Sequence, residues 1–127
     1  MKNKAKFFVC NKCGNVAGLF VNRGGELVCC GEKMHELLPN TVEASHEKHI
    51  PVVEKNGNRV KVKIGSVLHP MTDEHLIDFV YVGTDRGGQH AMLGAGDPPE
   101  AEFSVEGAKA TEAYAYCNQH GMWKLDL

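Results

Sequence analysis

No stretch of this 127-residue chain approaches the roughly 20 consecutive apolar residues of a membrane-spanning helix, so the sequence offers no membrane span. Charge of one sign is scarce too. The formal net charge is −2, and without the basic surface that phosphate backbones demand, nucleic acid is not expected as a general partner. The basic opening Met1-Lys2-Asn3-Lys4-Ala5-Lys6 has no apolar segment behind it and does not read as a secretory signal. Internal repeats, low-complexity tracts and a long amphipathic helical pattern are all missing. A paired set of cysteines is missing as well: there are five, an odd number. In an unsecreted chain this speaks for thiolate ligands in a reducing compartment rather than disulfides, and a cytoplasmic protein is expected.

Four of those cysteines fall in the first thirty residues, as Cys10-Asn11-Lys12-Cys13 and then Cys29-Cys30. Two pairs separated by a short loop form a tetrathiolate signature. Cys-x-x-Cys lets two sulfurs from one tight turn reach the same ion, and Gly14 after Cys13 favours that turn. Cys29 and Cys30 are adjacent, and neighbours in an extended chain point to opposite faces. Aiming both at one ion needs a turn there.

Residues 1–37 read as a small module whose clear apolar stretches are Phe7-Phe8-Val9, Leu19-Phe20-Val21 and Leu27-Val28. A unit this short rarely folds on core burial alone, and a metal at the four cysteines would supply part of its stability. Arg23-Gly24-Gly25-Glu26 reads as a turn between short strands, and Leu38-Pro39-Asn40 as the linker that opens the second domain, 38–127. From about residue 41 the chain reads as all-β. Val60 to Ile64 alternates strictly; Ile77–Val82, Ala101–Val105 and Ala113–Tyr116 are further strands. Asn56-Gly57-Asn58 signals a hairpin, and Gly94 to Pro99 must be a loop. Short strands at near-regular spacing predict a β-sandwich. The 43% hydrophobic content permits a packed core.

The second half of the donor inventory is Glu47-Lys48-His49-Ile50-Pro51, His69-Pro70, His75 and Cys117-Asn118-Gln119-His120-Gly121-Met122-Trp123. One thiolate and four imidazoles match no structural zinc site, which closes a tetrahedron of four ligands. One sulfur and four nitrogens suit a five-coordinate iron with one face open for a small oxidant. Gly121 allows a close turn, so that Cys117 and His120 can serve one ion. Pro70 biases His69 toward extended backbone, which would help fix it, although an ordinary loop proline is an equal reading. Trp123 would either shield the sulfur or fill the core, and the core reading is favoured.

From Phe8 to Trp123 these motifs, in this order, resemble the desulfoferrodoxin family, the two-iron form of superoxide reductase. The cysteine pattern resembles its desulforedoxin module, and the Glu-Lys-His-x-Pro, His-Pro, His and Cys-Asn-x-His-Gly-x-Trp motifs resemble its neelaredoxin-type catalytic module. The resemblance implies a rubredoxin- or desulforedoxin-like metal module followed by an immunoglobulin-like β-sandwich. It implies two iron ions per chain, one on Cys10, Cys13, Cys29 and Cys30, the other on His49, His69, His75, His120 and Cys117. Superoxide would be the substrate, reduced to hydrogen peroxide without dioxygen, in detoxification. A rubredoxin-like protein would be the electron donor, and the chain would form a homodimer. The resemblance also assigns Lys48 to attracting superoxide and Glu47 to occupying the open face in the ferric resting state. Against this stands the ordinary reading of Glu47-Lys48 as a solvated surface pair, worth little in stability. Lys63 and Lys124 are weaker candidates for the same cationic rim. His35, His46 and His90 match no ligand position and read as solvated or packed residues. Two other functions compete: a non-catalytic iron electron-transfer protein, and a binding module stabilised by zinc, which affinity order favours over ferrous iron at a tetrathiolate.

Overall fold

The structure, a computed structural model, describes residues 5–127; the basic opening from Met1 to Lys4 lies outside the described residues. The chain divides into two compact units, Met1–Leu38 and Pro39–Leu127. Among the described residues no helix is long and apolar enough to cross a membrane.

The first unit is built on β1 (Lys6–Val9), β2 (Val16–Leu19), β3 (Val28–Cys29), β4 (Glu32–Lys33) and β5 (His35–Glu36). β1 is central, antiparallel to β2 and to β5. The expected turn at Arg23 to Glu26 is an irregular segment with a bend at Gly24, and β2 and β3 do not pair; β3 instead forms a minimal hairpin with β4. Its two-residue loop is Cys30-Gly31, with φ of 54° and 77°. Positive φ at both positions is what a type I′ hairpin loop requires. Cys30 is one of two non-glycine residues at positive φ among those described, and that left-handed turn is what aims two adjacent cysteines at one point.

The second unit begins with a single helical turn, α1 (His46–His49). It continues with β6 (Pro51–Asn56), β7 (Arg59–Ile64), β8 (Ile77–Thr84), β9 (Gly87–Met92), β10 (Glu100–Ser104), β11 (Ala110–Cys117) and β12 (Gly121–Asp126). The sheets run β10-β7-β6 and β12-β11-β8-β9. The Asn56 to Asn58 signal closes the β6–β7 hairpin as a two-residue loop, with Gly57 at φ 62°. Val60, Val62 and Ile64 of one sheet share a core with Ile77, Val80, Val82, Ala113, Ala115 and Cys117 of the other, which makes a sandwich. The strict alternation of β7 places its three apolar residues on that inner face. In β11 the same period carries the inner face from Ala113 through Ala115 to Cys117. The pairing with β8 shifts register between Tyr116 and Cys117. Irregularities of this kind commonly re-aim a side chain beside a functional site.

Candidate metal centres

The first centre gathers Cys10, Cys13, Cys29 and Cys30, whose sulfurs all lie within 4.8 Å of one another. Cys10 is buried at the end of β1, while Cys13 and Cys30 are exposed. Backbone bonds from Cys10 N–H to the Asn15 carbonyl (2.9 Å) and from Gly14 N–H to the Cys10 carbonyl (2.8 Å) close the Cys-x-x-Cys turn. The Cys13 and Cys29 sulfurs approach to 3.6 Å. The Cys13 amide, donating to the Cys10 sulfur, lowers that thiol to about 7, whereas the neighbouring sulfurs of Cys13, Cys10 and Cys29 push Cys30 up to about 12. Four sulfurs this close cannot all ionise unless a cation joins them, and a thiolate-binding metal fits the set.

The second centre draws on four separate segments: α1 for His49, the connection from β7 to β8 for His69 and His75, the end of β11 for Cys117, and the β11–β12 loop for His120. Gly65 lets the first two segments meet. A Cβ there would stand 2.5 Å from the Glu47 carbonyl oxygen and 3.0 Å from the Lys48 carbonyl carbon, so only glycine fits against α1. The Glu47 carbonyl then accepts from Val67 N–H (2.9 Å) and Ser66 Oγ (3.2 Å), which docks the loop that presents His69.

The four rings stand at the corners of a near-square. Adjacent centroids are 4.7 Å (His49–His69), 4.6 Å (His69–His75), 5.0 Å (His75–His120) and 4.9 Å (His120–His49), and the His49–His75 diagonal is 6.4 Å. Carbonyls can only accept, so His49 Nδ1–H donates to the Ser45 carbonyl (2.6 Å) and His69 Nδ1–H to that of Pro70 (2.7 Å). Both rings therefore turn Nε2 inward. Ligand histidines are commonly oriented by such carbonyl acceptors. His120 offers Nδ1 instead, 3.1 Å from His49 Nε2 and 3.8 Å from the Cys117 sulfur. Cys117, fully buried, receives the His120 backbone N–H at 3.3 Å. Donor atoms of His49, His69, His75 and Cys117 are mutually within 4.8 Å; His120 lies just outside that mutual set and joins it through its contacts to His49 and Cys117.

Above the rings opens a cavity of about 310 Å³, lined by Ala44, Ser45, Lys48, Pro70 and the four histidines. Cys117 does not line it. The sulfur thus approaches from the core side and the cavity from the other. Burial holds His49, His69 and His75 below the usual imidazole range, His69 at about 4, so these rings are neutral at pH 7. Burial also pushes the Cys117 thiol up, against the pull of the Gln119 and His120 amides. His69 Nε2 and His75 Nε2 are buried without a hydrogen-bond partner. Buried polar atoms are normally satisfied. Two orphaned lone pairs converging with a third imidazole nitrogen and a sulfur fit a metal ion, and the square arrangement with a fifth donor fits iron better than tetrahedral zinc.

The sequence reading of Trp123 as a core residue holds, and the ring also supports the site. The ring is fully buried and stacks on His49 (centroids 4.8 Å apart, planes 27° apart), and its Nε1–H donates to the His120 carbonyl at 3.1 Å. It supports two ring positions of the square. His46 makes an edge contact with Trp123 at 5.3 Å and takes no ligand position; His35 and His90 lie exposed on β5 and β9. Lys63 and Lys124 do not line the cavity. Lys124 is held by Glu112 (3.2 Å) and Asp126 (3.1 Å). Lys48 lines the cavity; Glu47 does not, and its carboxylate takes a bond of 3.4 Å from Ser45 Oγ, a cavity residue.

A β-sandwich that converges four imidazoles and a thiolate beneath an open cavity, preceded by a four-cysteine module, defines a two-centre non-haem iron protein. Sequence comparison narrows this. The desulfoferrodoxin family profile matches residues 41–126, and that of the desulfoferrodoxin N-terminal domain matches residues 2–37. The chain is 41% identical over 126 residues to a desulfoferrodoxin of Nitratidesulfovibrio vulgaris, covering 99% of each. It is 35% identical over 99 residues to a superoxide reductase of Pyrococcus horikoshii, covering 64% of this chain and 86% of that one. Among solved structures it is similar to the superoxide reductase from Treponema pallidum, with a TM-score of 0.83, 38% identity, and 98% and 100% of the two chains covered. The chain belongs to the desulfoferrodoxin family, and its two donor sets make two iron centres.

Proposed function

We propose that this protein is a superoxide reductase, converting superoxide to hydrogen peroxide at the His49, His69, His75, His120 and Cys117 centre without producing dioxygen. The observation that carries the reading is the cavity floored by four imidazoles, with the sulfur beneath and an exposed lysine on its rim. A pure electron-transfer centre has no use for such an opening. Residues 1–37 hold the accessory four-cysteine iron centre and residues 38–127 form the catalytic domain.

Ferrous iron held by His49, His69, His75, His120 and Cys117 would supply the single electron that, with two protons, turns superoxide into hydrogen peroxide. The chain's residues do the rest. The imidazoles would leave the cation's charge uncancelled at the cavity floor, and Cys117 would donate electron density from the dry side. Lys48 draws the anionic substrate to the mouth, since a cationic rim focuses anions even on a chain of net charge −2. Glu47, which reaches toward the cavity edge through Ser45, serves the resting state. The relatives named superoxide reductase support this assignment. A role in detoxification, a cytoplasmic setting, a rubredoxin-like donor and a homodimer complete the reading; thiolate ligands agree with a reducing compartment, and the exposed Cys13 and Cys30 with access for a donor.

The test is metal analysis followed by an anaerobic superoxide pulse with excess reductant. Two irons and hydrogen peroxide without dioxygen are expected. Stoichiometric dioxygen evolution would rule the reductase out in favour of a dismutase, and no superoxide consumption would leave the electron-transfer reading.

A further inference from the structure

His75 differs from the other ligands in how it is held. His49 and His69 are each fixed by an Nδ1–H bond to a backbone carbonyl, and His120 belongs to the loop that carries Cys117 and is backed by Trp123. The His75 ring makes no hydrogen bond among the described residues, and its Nε2 is one of the two orphaned atoms. Apart from its edge contacts with the His69 and His120 rings, its orientation comes from its backbone. Within its own loop, Thr72 N–H donates to the His75 carbonyl (2.9 Å) and His75 N–H to Thr72 Oγ1 (3.1 Å). The anchors outside that loop come from one residue above all. Asn118 Oδ1 accepts from Leu76 N–H (3.0 Å), Asn118 Nδ2 donates to the Glu74 carbonyl (3.1 Å), and Asn118 N–H donates to the Leu76 carbonyl (3.2 Å). Gln119 Nε2 adds a bond of 2.7 Å to the same Glu74 carbonyl.

The bonds from Asn118 thus grip the residues on both sides of His75, and Asn118 is covalently next to Cys117. We infer that Asn118 is the positioning residue of the second centre: it locks the His75 segment to the thiolate loop, so that the ring ligand and the sulfur keep one geometry. The amide is suited to this because it accepts with one atom and donates with the other, as a backbone peptide does. Neither Ala nor Asp reproduces both. The inference rests on His75 being a ligand, as the proposed function has it.

The experiment follows chelator-driven iron loss from the iron-loaded full chain, with the four-cysteine iron in the same molecule as an internal control. Partners that orient metal ligands typically contribute about 10–100-fold in metal affinity. Asn118→Ala should therefore speed loss from the second centre by about 10–100-fold, leave the rate at the four-cysteine centre unchanged, and alter the absorption of the thiolate-bound iron. The decisive arm is a double-mutant cycle. In a His75→Ala background, which still offers three imidazoles and the thiolate, Asn118→Ala should add little, because a residue acting through His75 cannot act twice. Should Asn118→Ala fail to fold, Asn118→Asp, which keeps the acceptor and loses the donor, carries the same cycle. Additive effects, or iron loss at the parent rate in the Asn118 variant, would overturn the positioning role while leaving the ligand assignment intact. Parent-rate loss in His75→Ala alone would remove that assignment and this inference with it.

Discussion

In the first unit only Phe7, Cys10 and Met34 are buried apolar residues among those described, while Phe20 is fully exposed and Val28 largely so. In the second, Cys117 belongs to a core with Val60, Val62, Ile64, Ile77, Val80 and their neighbours, and His49 and His69 are buried as well. One metal site replaces a core and the other is mounted on one. Where burial is too small to offset chain entropy, metal binding free energy becomes folding free energy. Where a sandwich already folds, the same chemistry can be spent on holding ligands apart from a cavity. The contrast explains why the first site closes on four ligands and the second leaves a face open.

The sharpest way to break this comparison is to remove the metals. Stripping both irons should collapse amide-exchange protection across the first unit and leave that of β7, β8 and β11 largely in place. A structural metal in so small a unit contributes on the order of 10 kcal/mol, more than its few buried side chains can. Equal protection in both units after stripping would show that the first folds without its metal. A smaller but local effect belongs to Gly65. Gly65→Ala drives a methyl into the Glu47 carbonyl, and overpacking of this kind costs about 1–3 kcal/mol. The unfolding midpoint of the metal-free second unit should fall accordingly, and iron should leave the second centre faster, with the iron of the first centre untouched. An unchanged midpoint would mean that the His69 loop does not depend on its contact with α1.

Much of both sites was legible in the sequence because ligand identity resides in single residues whose types are rare and whose spacing is short. Cys10 and Cys13, or Cys117 and His120, announce themselves within one turn. Other features depended on tertiary context. The four-residue helix α1 is too short to carry a period, and β9 opens Gly87-Gly88-Gln89-His90, which lacks the apolar alternation of a strand. Trp123 carries nothing in its local sequence to say that it stacks on a histidine from another segment. Asn118 and Gln119 carry no local signal of their role, which arises only where the fold brings them beside Glu74 and Leu76. The hairpin of Cys30 and Gly31 lay between: the need for a turn was readable, its left-handed geometry was not.

Protonation sharpens the comparison further. His49, His69 and His75 are held below their ordinary value chiefly by burial, His69 at about 4. In the unfolded chain they charge below about 6.5. The metal-free second unit should therefore keep its stability above that pH and lose it as pH falls toward 4, because the unfolded state binds more protons there. Thermal midpoints of the stripped chain between pH 7.5 and 4.5 test this, and a flat profile would contradict it. Loading has its own signature. Neutral imidazoles give up nothing at pH 7, so the second centre should release about one proton, from Cys117, whose thiol burial keeps protonated. The first centre, all thiols with Cys29 and Cys30 pushed up, should release more than two on this accounting. Cys13→Ser, which should lose only the first iron, isolates the second count; equal counts at the two centres would overturn the distinction.

The smallest effect expected is that of Lys48, and it separates an open site from a closed one most directly. The side chain lines the cavity, and its charge adds to the burial that holds His49 and His75 low. The closed first centre has no corresponding task for a lysine: Lys12, beside Cys13, pairs with Glu32 at 3.9 Å. A unit charge roughly 6 Å from an anion in water contributes about 0.7 kcal/mol, roughly threefold in an encounter rate. Lys48→Ala should slow the second-order reaction of the ferrous protein with superoxide by about that factor at low ionic strength. The difference should fade as salt rises, since screening acts over about 10 Å at 0.1 M. Removing Lys48 takes away no ligand, so iron content and the ferrous spectrum should stay as they are. Glu47→Ala should do the reverse, altering the ferric resting spectrum while leaving the encounter largely intact. If Lys48→Ala reacts at the parent rate at low salt, the lysine is an ordinary solvated side chain, and the cavity must draw superoxide by the charge of its floor alone.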